Sequence, residues 1–147
     1  MIRISTRGRY ALRALLDVAR HDGDGPVSRQ AIAGRQEISA AYVAQLFRHL
    51  QSAGLVEGVK GPGGGYRLGR EAASITVADV VRAVEGPMAL VACVLTQGEE
   101  RLPCHRADGC VTHLLWQQVS QAVTDMLNAV TLQDLVEQAR LLSPVGV

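Results

Sequence analysis

Long apolar runs are missing from this chain. The longest, Met88 to Leu95, is far too short to cross a bilayer. The opening residues, Met1-Ile2-Arg3-Ile4-Ser5-Thr6-Arg7, lack the apolar centre of a secretory signal. A membrane protein is therefore not expected, and the location implied is the cytoplasm. No segment repeats and none is of low complexity, which excludes solenoids and arrays. The one glycine-rich stretch is not followed by Gly-Lys-Ser/Thr or by a helix start, so it is not read as a nucleotide phosphate loop. Aromatic residues make up 3% of a chain that is 48% hydrophobic, and the apolar positions recur with helical spacing. Cysteine is scarce: Cys93, Cys104 and Cys110 are the only three, and all fall in one short stretch closed by His113.

What is present divides unevenly. The 147 residues suit one ordinary domain, or a small domain with an extension. Residues 1–70 carry eleven Lys and Arg against five Asp and Glu, whereas residues 71–147 carry four against nine. The net charge of +1 thus hides a basic half and an acidic half, and only the first is suited to a polyanion.

The basic half contains three capped helical patterns. Ser5 can cap a first helix with Ala11, Ala14, Leu15, Val18 and Ala19 on one face and Arg7, Arg9 and Arg13 elsewhere. Ser28 caps a short second helix to about Gln36, with Val27 placed to staple onto Ile32. Ser39 caps a third, with Ile38 stapling onto Val43; Val43, Leu46, Phe47 and Leu50 share its core face. Tyr42, Gln45, Arg48 and His49 fall largely outside that face, and Gly54 is placed to terminate the helix.

Two helices joined by a tight turn, the second polar on its outer side, are what a helix-turn-helix needs to enter a DNA major groove. Residues 55–60 and 66–68 then read as two short strands around the tip Gly61-Pro62-Gly63-Gly64-Gly65. A helix-turn-helix followed by a β-hairpin is a winged helix. On this reading Ser39, Tyr42, Gln45 and Arg48 meet double-stranded DNA from the third helix, and Arg9 from the first. Lys60, Gly63, Gly64 and Arg67 meet it from the wing, where glycines allow close backbone approach and the cations suit phosphate.

In the acidic half, Thr76 and Asp79 form a capping box for a helix carrying Val77, Val80, Val81 and Val84 that stops at Gly86-Pro87. From about Val111 to Val130 runs the longest helical pattern. Its Leu115, Val119, Ala122, Met126 and Ala129, spaced 4, 3, 4, 3, make a seam for another helix, most simply its own copy in a homodimer. Thr131 to Asp134 opens a final helix to about Leu142.

Between these lies the cysteine stretch. Three thiolates and an imidazole are a complete set of soft ligands for zinc or an iron–sulphur cluster, and residue types alone do not separate the two. Cys110 and His113 stand one helical turn apart, while Cys104 and Cys93 would come in from the preceding loop. Cys93, among Leu90, Val91, Val94 and Leu95, also suits simple packing. A disulfide is disfavoured in a chain with no mark of secretion. An enzyme would need a nucleophile and base on a rigid scaffold, and a loop broken by Gly98, Pro103 and Gly109 is not one.

Taken in this order the residues resemble the Rrf family of bacterial winged-helix transcription regulators, and within it the branch of the iron–sulphur-cluster regulator IscR. The likeness rests on residues 8–15 (Gly-Arg-Tyr-Ala-Leu-Arg-Ala-Leu), Tyr42 with Gln45-Leu46-Phe47, Ala53-Gly54-Leu55-Val56, the wing Gly61-Pro62-Gly63-Gly64-Gly65-Tyr66, residues 83–87 and Cys110-Val111-Thr112-His113. It runs from about Ile4 to Leu142. It implies a mainly α fold with a small β-hairpin: a winged helix-turn-helix DNA-binding domain over residues 1–87, a cluster-binding loop over 88–113, and a dimerisation helix with a C-terminal helix over 111–142. It further implies a two-iron, two-sulphide (2Fe-2S) cluster on Cys93, Cys104, Cys110 and His113, and a regulator whose operator affinity follows the state of that cluster.

The chain departs from that branch in three places. Between Cys93 and Cys104 it has five residues more than is usual, which makes His105 and Glu99 the alternatives to Cys93. Ala41 and Ala44 replace the usual Ser and Glu of the recognition helix, and Lys60 an Arg, so the operator is expected to differ. Members that sense nitric oxide use an acidic ligand near the N-terminus, where Gly8 stands here. Nitric-oxide or thiol-redox sensing on the same fold, and a zinc-stapled DNA-binding module, are the alternative functions.

Overall fold

The computed structural model describes residues 3–94 and 104–142. Helix α1 (Thr6–Arg20) begins where Ser5 Oγ accepts the Gly8 N–H at 3.2 Å. Ser28 and Ser39 repeat the device for α2 (Arg29–Gln36) and α3 (Ala40–Ser52), accepting the N–H of Ala31 and of Tyr42. Each cap satisfies a donor the helix cannot, worth about 1 kcal/mol. The turn between α2 and α3 takes only Glu37, Ile38 and Ser39, with Glu37 in the left-handed conformation. After α3, Gly54 takes φ 74°, and the N–H groups of Gly54 and Leu55 donate back to the carbonyls of Gln51 and Leu50. That closure turns the chain out of the helix and into the hairpin.

Strands β1 (Val56–Val59) and β2 (Gly65–Leu68) pair antiparallel, Val56 opposite Leu68 and Val59 opposite Gly65. At the tip the Gly64 N–H donates to the Gly61 carbonyl across Pro62 and Gly63, a turn with proline and a positive-φ glycine at its two central positions. Val27 and Tyr66 exchange backbone hydrogen bonds of 2.8 Å, so the residue ahead of α2 acts as a short third strand. A Cβ at Gly65 would lie 2.1 Å from the Val27 carbonyl oxygen, which is why that position has no side chain.

Ala11, Ala14, Leu15 and Val18 of α1, Ile32 of α2, and Val43, Leu46, Phe47 and Leu50 of α3 form one buried core. Val80 and Val84 of α4 (Val77–Glu85) close it, and the Tyr66 ring meets Phe47 edge-on with centroids 4.4 Å apart. Burying one such aliphatic or aromatic side chain contributes about 1.5–3 kcal/mol. Where α1 crosses α4 the contact is tight. Glu85 Oε1 accepts the Ser5 N–H at 2.8 Å, and a Cβ on Gly8 would come within 2.8 Å of both Glu85 Oε1 and Ile4 Cγ2.

Past the cysteine stretch, α5 (Val111–Asn128) leads to α6 (Leu132–Leu142), opened by the box of Thr131 and Asp134. The chain then returns to the first core. The Val77 N–H donates to the Val130 carbonyl and the Leu132 N–H to the Ile75 carbonyl, both at 2.9 Å, and Leu132 is fully buried as part of the same core, where α6 packs on α1.

One buried charge stands in this frame. Asp17, 3% exposed on α1, accepts both Nε and Nη2 of Arg35 at 2.8 and 2.7 Å and Gln36 Nε2 at 3.0 Å. The carboxylate holds the Arg35 guanidinium more firmly protonated than usual, first through the hydrogen bond. This fork fastens α2 to α1 and so sets how the helix-turn-helix sits. Asp17→Ala is expected to cost about 2–3 kcal/mol, because Arg35, itself partly solvated, loses its partner. The melting temperature should fall by roughly 5–10 °C in a calorimetric scan.

Candidate functional site

The outer side of α3 carries exposed Ala41, Gln45, Arg48 and His49, free of the core that Leu46 and Phe47 enter. Two of the predicted residues are partly committed elsewhere. The Ser39 hydroxyl caps α3, and half-buried Tyr42 meets the Tyr10 ring edge-on at 6.0 Å, with the Arg13 guanidinium 5.0 Å from the centre of that ring. Lys60, Gly63 and Arg67 are exposed on the wing, with Arg67 opposite Glu57 in the strand register, and Gly64 closes the tip turn. Arg9 stands apart, on a cleft with Leu12 of α1, Val81 of α4 and Leu127 of α5. Arg29, which the helical pattern did not single out, adds a cation beside the wing, where its Nη2 donates to the Tyr66 hydroxyl at 3.2 Å.

The second set of residues gathers at the start of α5. Cys93 lies in a turn of 3-10 helix, Ala92–Val94, and its Sγ is 3.5 Å from His113 Nδ1. Twenty residues of sequence separate these two groups, and the fold brings them together. Cys110 is the residue ahead of α5, and its Sγ lies 3.0 Å from the Thr112 hydroxyl. That hydroxyl, together with the His113 backbone N–H, holds the Cys110 thiol below its ordinary pKa. A thiol so placed ionises more readily, which is the form that binds metal. Cys104 and His105 are exposed in the turn before, ahead of the 3-10 helix Ala107–Gly109. Glu99 lies outside the described residues. All three cysteines are free. Among the described residues no three His, Cys, Asp or Glu groups converge as for a metal ion, so the pair of Cys93 and His113 is what the fold itself brings together. The donor set still suits a thiophilic centre: sulphur beside imidazole on one side, and a readily ionised thiol at the same helix end on the other.

Helix α5 presents two unlike sides. Ser120 is buried and its hydroxyl accepts the Leu90 N–H at 3.1 Å, while half-buried His113, Trp116, Thr124 and Leu127 fall on the same side as Ser120. The other side is apolar and open: Leu115 is 47% and Met126 65% exposed, and with Val119, Ala122 and Val123 they line a shallow groove of about 460 Å³. The 4, 3, 4, 3 seam is therefore not covered by the described residues of its own chain. No helix among the described residues is long and apolar enough to cross a membrane.

A three-helix core with a hydrogen-bonded hairpin and an exposed polar face on its third helix defines a winged-helix transcription regulator. The chain belongs to the Rrf2 family, described as iron-dependent transcriptional regulators, whose model matches residues 4–138. Over 145 residues it is 43% identical to the HTH-type transcriptional regulator IscR of Photorhabdus laumondii, covering 99% of this chain and 85% of the relative. It is 45% identical over 141 residues to the IscR of Pectobacterium carotovorum, covering 96% and 83%. Among solved structures, T. potens IscR superposes with a TM-score of 0.74 at 36% identity, covering 94% of this chain and 88% of that one. CymR, the global cysteine regulator of B. subtilis, gives 0.73 at 37%, covering 94% and 98%. The mainly helical winged fold and the role in transcription expected from the sequence are both found.

Proposed function

We propose that the chain works as a homodimer whose affinity for operator DNA is set by an iron–sulphur cluster, of the 2Fe-2S kind, held by Cys93, Cys104, Cys110 and His113. The observation that carries this reading is the double use of α5. His113 on its first turn faces Cys93, while the open stripe through Leu115 and Met126 runs along the other side of the same helix. The names of the relatives and the family's iron dependence support it. The proximity of Cys93 to His113 favours Cys93 over His105 as the fourth ligand. When bound, such a cluster supplies a redox-active centre whose oxidation or loss changes local charge and cross-linking.

The residues of the chain then do the rest. Thr112 and the His113 N–H keep Cys110 ready to ionise. Cys93 ties the segment after α4 to α5, and the Leu90 N–H to Ser120 hydrogen bond makes a second tie. Holding or releasing those ties shifts α5 relative to α4, and through α4 the winged domain of each protomer. Two wings joined across α5 would change their separation, and with it the fit to two half-sites. Affinity follows because a ligand moves such an equilibrium only by preferring one state.

Reading of DNA falls to α3. With alanine at positions 41 and 44, Gln45 is the principal hydrogen-bonding side chain at the centre of its exposed face. Gln45→Ala should lower discrimination at one base pair of each half-site by about 1–3 kcal/mol while leaving affinity for random duplex unchanged. Lys60→Ala should weaken both equally. Titration of salt against promoter fragments tests this, and absent or salt-independent binding in both cluster states would defeat it.

A further inference from the structure

The first turn of α2 and the wing enclose a groove of about 430 Å³, lined among others by Ser28, Arg29, Gln30, Gln51, Lys60 and Tyr66. No carboxylate lines it. Arg29 stands at one wall and Lys60 at the other, both exposed, so two cations face one channel without an acidic partner in its lining. The Arg29 side chain is also held: its Nη2 donates to the hydroxyl of Tyr66, whose ring is packed on Phe47 and whose backbone pairs with Val27. The wing is thereby tied to the start of the helix-turn-helix twice, once through the backbone of Val27 just ahead of α2 and once through the Arg29 side chain of α2.

We infer that this groove is a seat for the phosphodiester backbone of one DNA strand passing between the helix-turn-helix and the wing, with Arg29 as its principal contact. The inference rests on the DNA-binding reading above and adds a residue and a surface to it. A phosphate carries the charge that two unopposed cations attract, and Ser28 and Gln30 supply neutral hydrogen-bonding groups beside them. A held guanidinium loses less freedom on binding than a free lysine does. The contact reads no base, so it strengthens binding to all duplexes and fixes the angle at which α3 meets the groove. Arg29 is thus both a phosphate contact and, through Tyr66, a positioning residue for the wing.

Fluorescence anisotropy of the full chain with a promoter fragment and with random duplex, each across a salt series, tests it. Arg29→Ala should weaken both duplexes about tenfold, and make the plot of log affinity against log salt shallower by about 1 for each protomer bound. Arg29→Lys should keep the slope, since charge is retained, and lose part of the affinity. Tyr66→Phe, which deletes only the hydroxyl, should lower affinity with the slope unchanged. Arg29→Ala protein with wild-type affinity and slope, in a preparation where Lys60→Ala and Gln45→Ala have their expected effects, would overturn the groove and leave the DNA reading standing. Tyr66→Phe protein binding as tightly as wild type would overturn the positioning role. Wild-type protein that binds neither duplex in a salt-dependent way would instead remove the reading on which the inference rests.

Discussion

Met126→Glu is expected to convert a homodimer into monomers and to lower operator affinity by about a hundredfold or more. Met126 is 65% exposed in the protomer, so the variant has no reason to unfold, and its helical circular dichroism should match wild type. The stripe it belongs to is apolar along several turns of α5, with Leu115, Val119 and Ala122 on the same side. Paired with a copy of itself, that stripe is buried, and a two-fold interface places the substituted residue in it twice. Each carboxylate then loses its water with no partner offered, a cost of several kcal/mol. Loss of the dimer removes the tethering that makes the second half-site an intramolecular contact, worth about 100–10,000-fold in affinity. Sedimentation at micromolar concentration decides it. A wild-type monomer would show that the open stripe is not a dimer contact, and a Met126→Glu dimer would place the interface elsewhere.

Replacing Cys104 or Cys110 by alanine is expected to abolish the visible absorption of protein made and kept without oxygen, and to reduce bound iron and sulphide to background. A cluster that four side chains would hold is not expected to survive the loss of one of its thiolate ligands in a site open to water, whereas the fold, whose core contains none of these residues, should be untouched. Cys93→Ala should bleach the protein as well. Cys93 already stands 3.5 Å from the imidazole of His113, so its removal takes away one of the two donors that the fold places together. His113→Cys should retain colour with a lower reduction potential, because a thiolate in place of a neutral imidazole makes the cluster more negative. Full colour in Cys93→Ala protein would move the fourth ligand to His105 or Glu99.

Much of the fold was legible because its signals are local. Ser5, Ser28, Ser39 and the boxes at Thr76 and Thr131 act within four residues of their own helix starts, and each is found capping where the sequence places it. The Gly-Pro-Gly-Gly-Gly tip likewise dictates its own turn, and the strands it joins differ from their expected limits by a residue at their ends. What could not be read was the pairing of distant segments. Nothing in the pattern of α6 says that Leu132 returns to the core of α1, since an apolar face does not name the surface it will cover. The Asp17 and Arg35 fork is similarly silent, each residue looking like one more surface charge.

The candidate site divides in the same way. Residue types and the short step from Cys110 to His113 pointed to a soft-ligand centre. The approach of Cys93 to His113 depends on how the segment after α4 folds against α5, which no spacing rule supplies. On the DNA face, Gln45 and Arg48 followed from helical periodicity. Arg29 did not, because its meaning comes from Tyr66, 37 residues away.

On the proposed function, one chain couples cluster state to operator affinity. The most direct test is a single measurement on one anaerobic preparation: affinity for the same promoter fragment at fixed salt, before and after the cluster is removed, with iron, sulphide and zinc determined on each sample. Coloured protein with near-equal iron and sulphide is expected, with an affinity that changes by roughly 5–150-fold on removal, the range over which one site ordinarily influences another. Equal affinities in the two states, or colourless protein carrying stoichiometric zinc after iron-replete anaerobic expression, would contradict it.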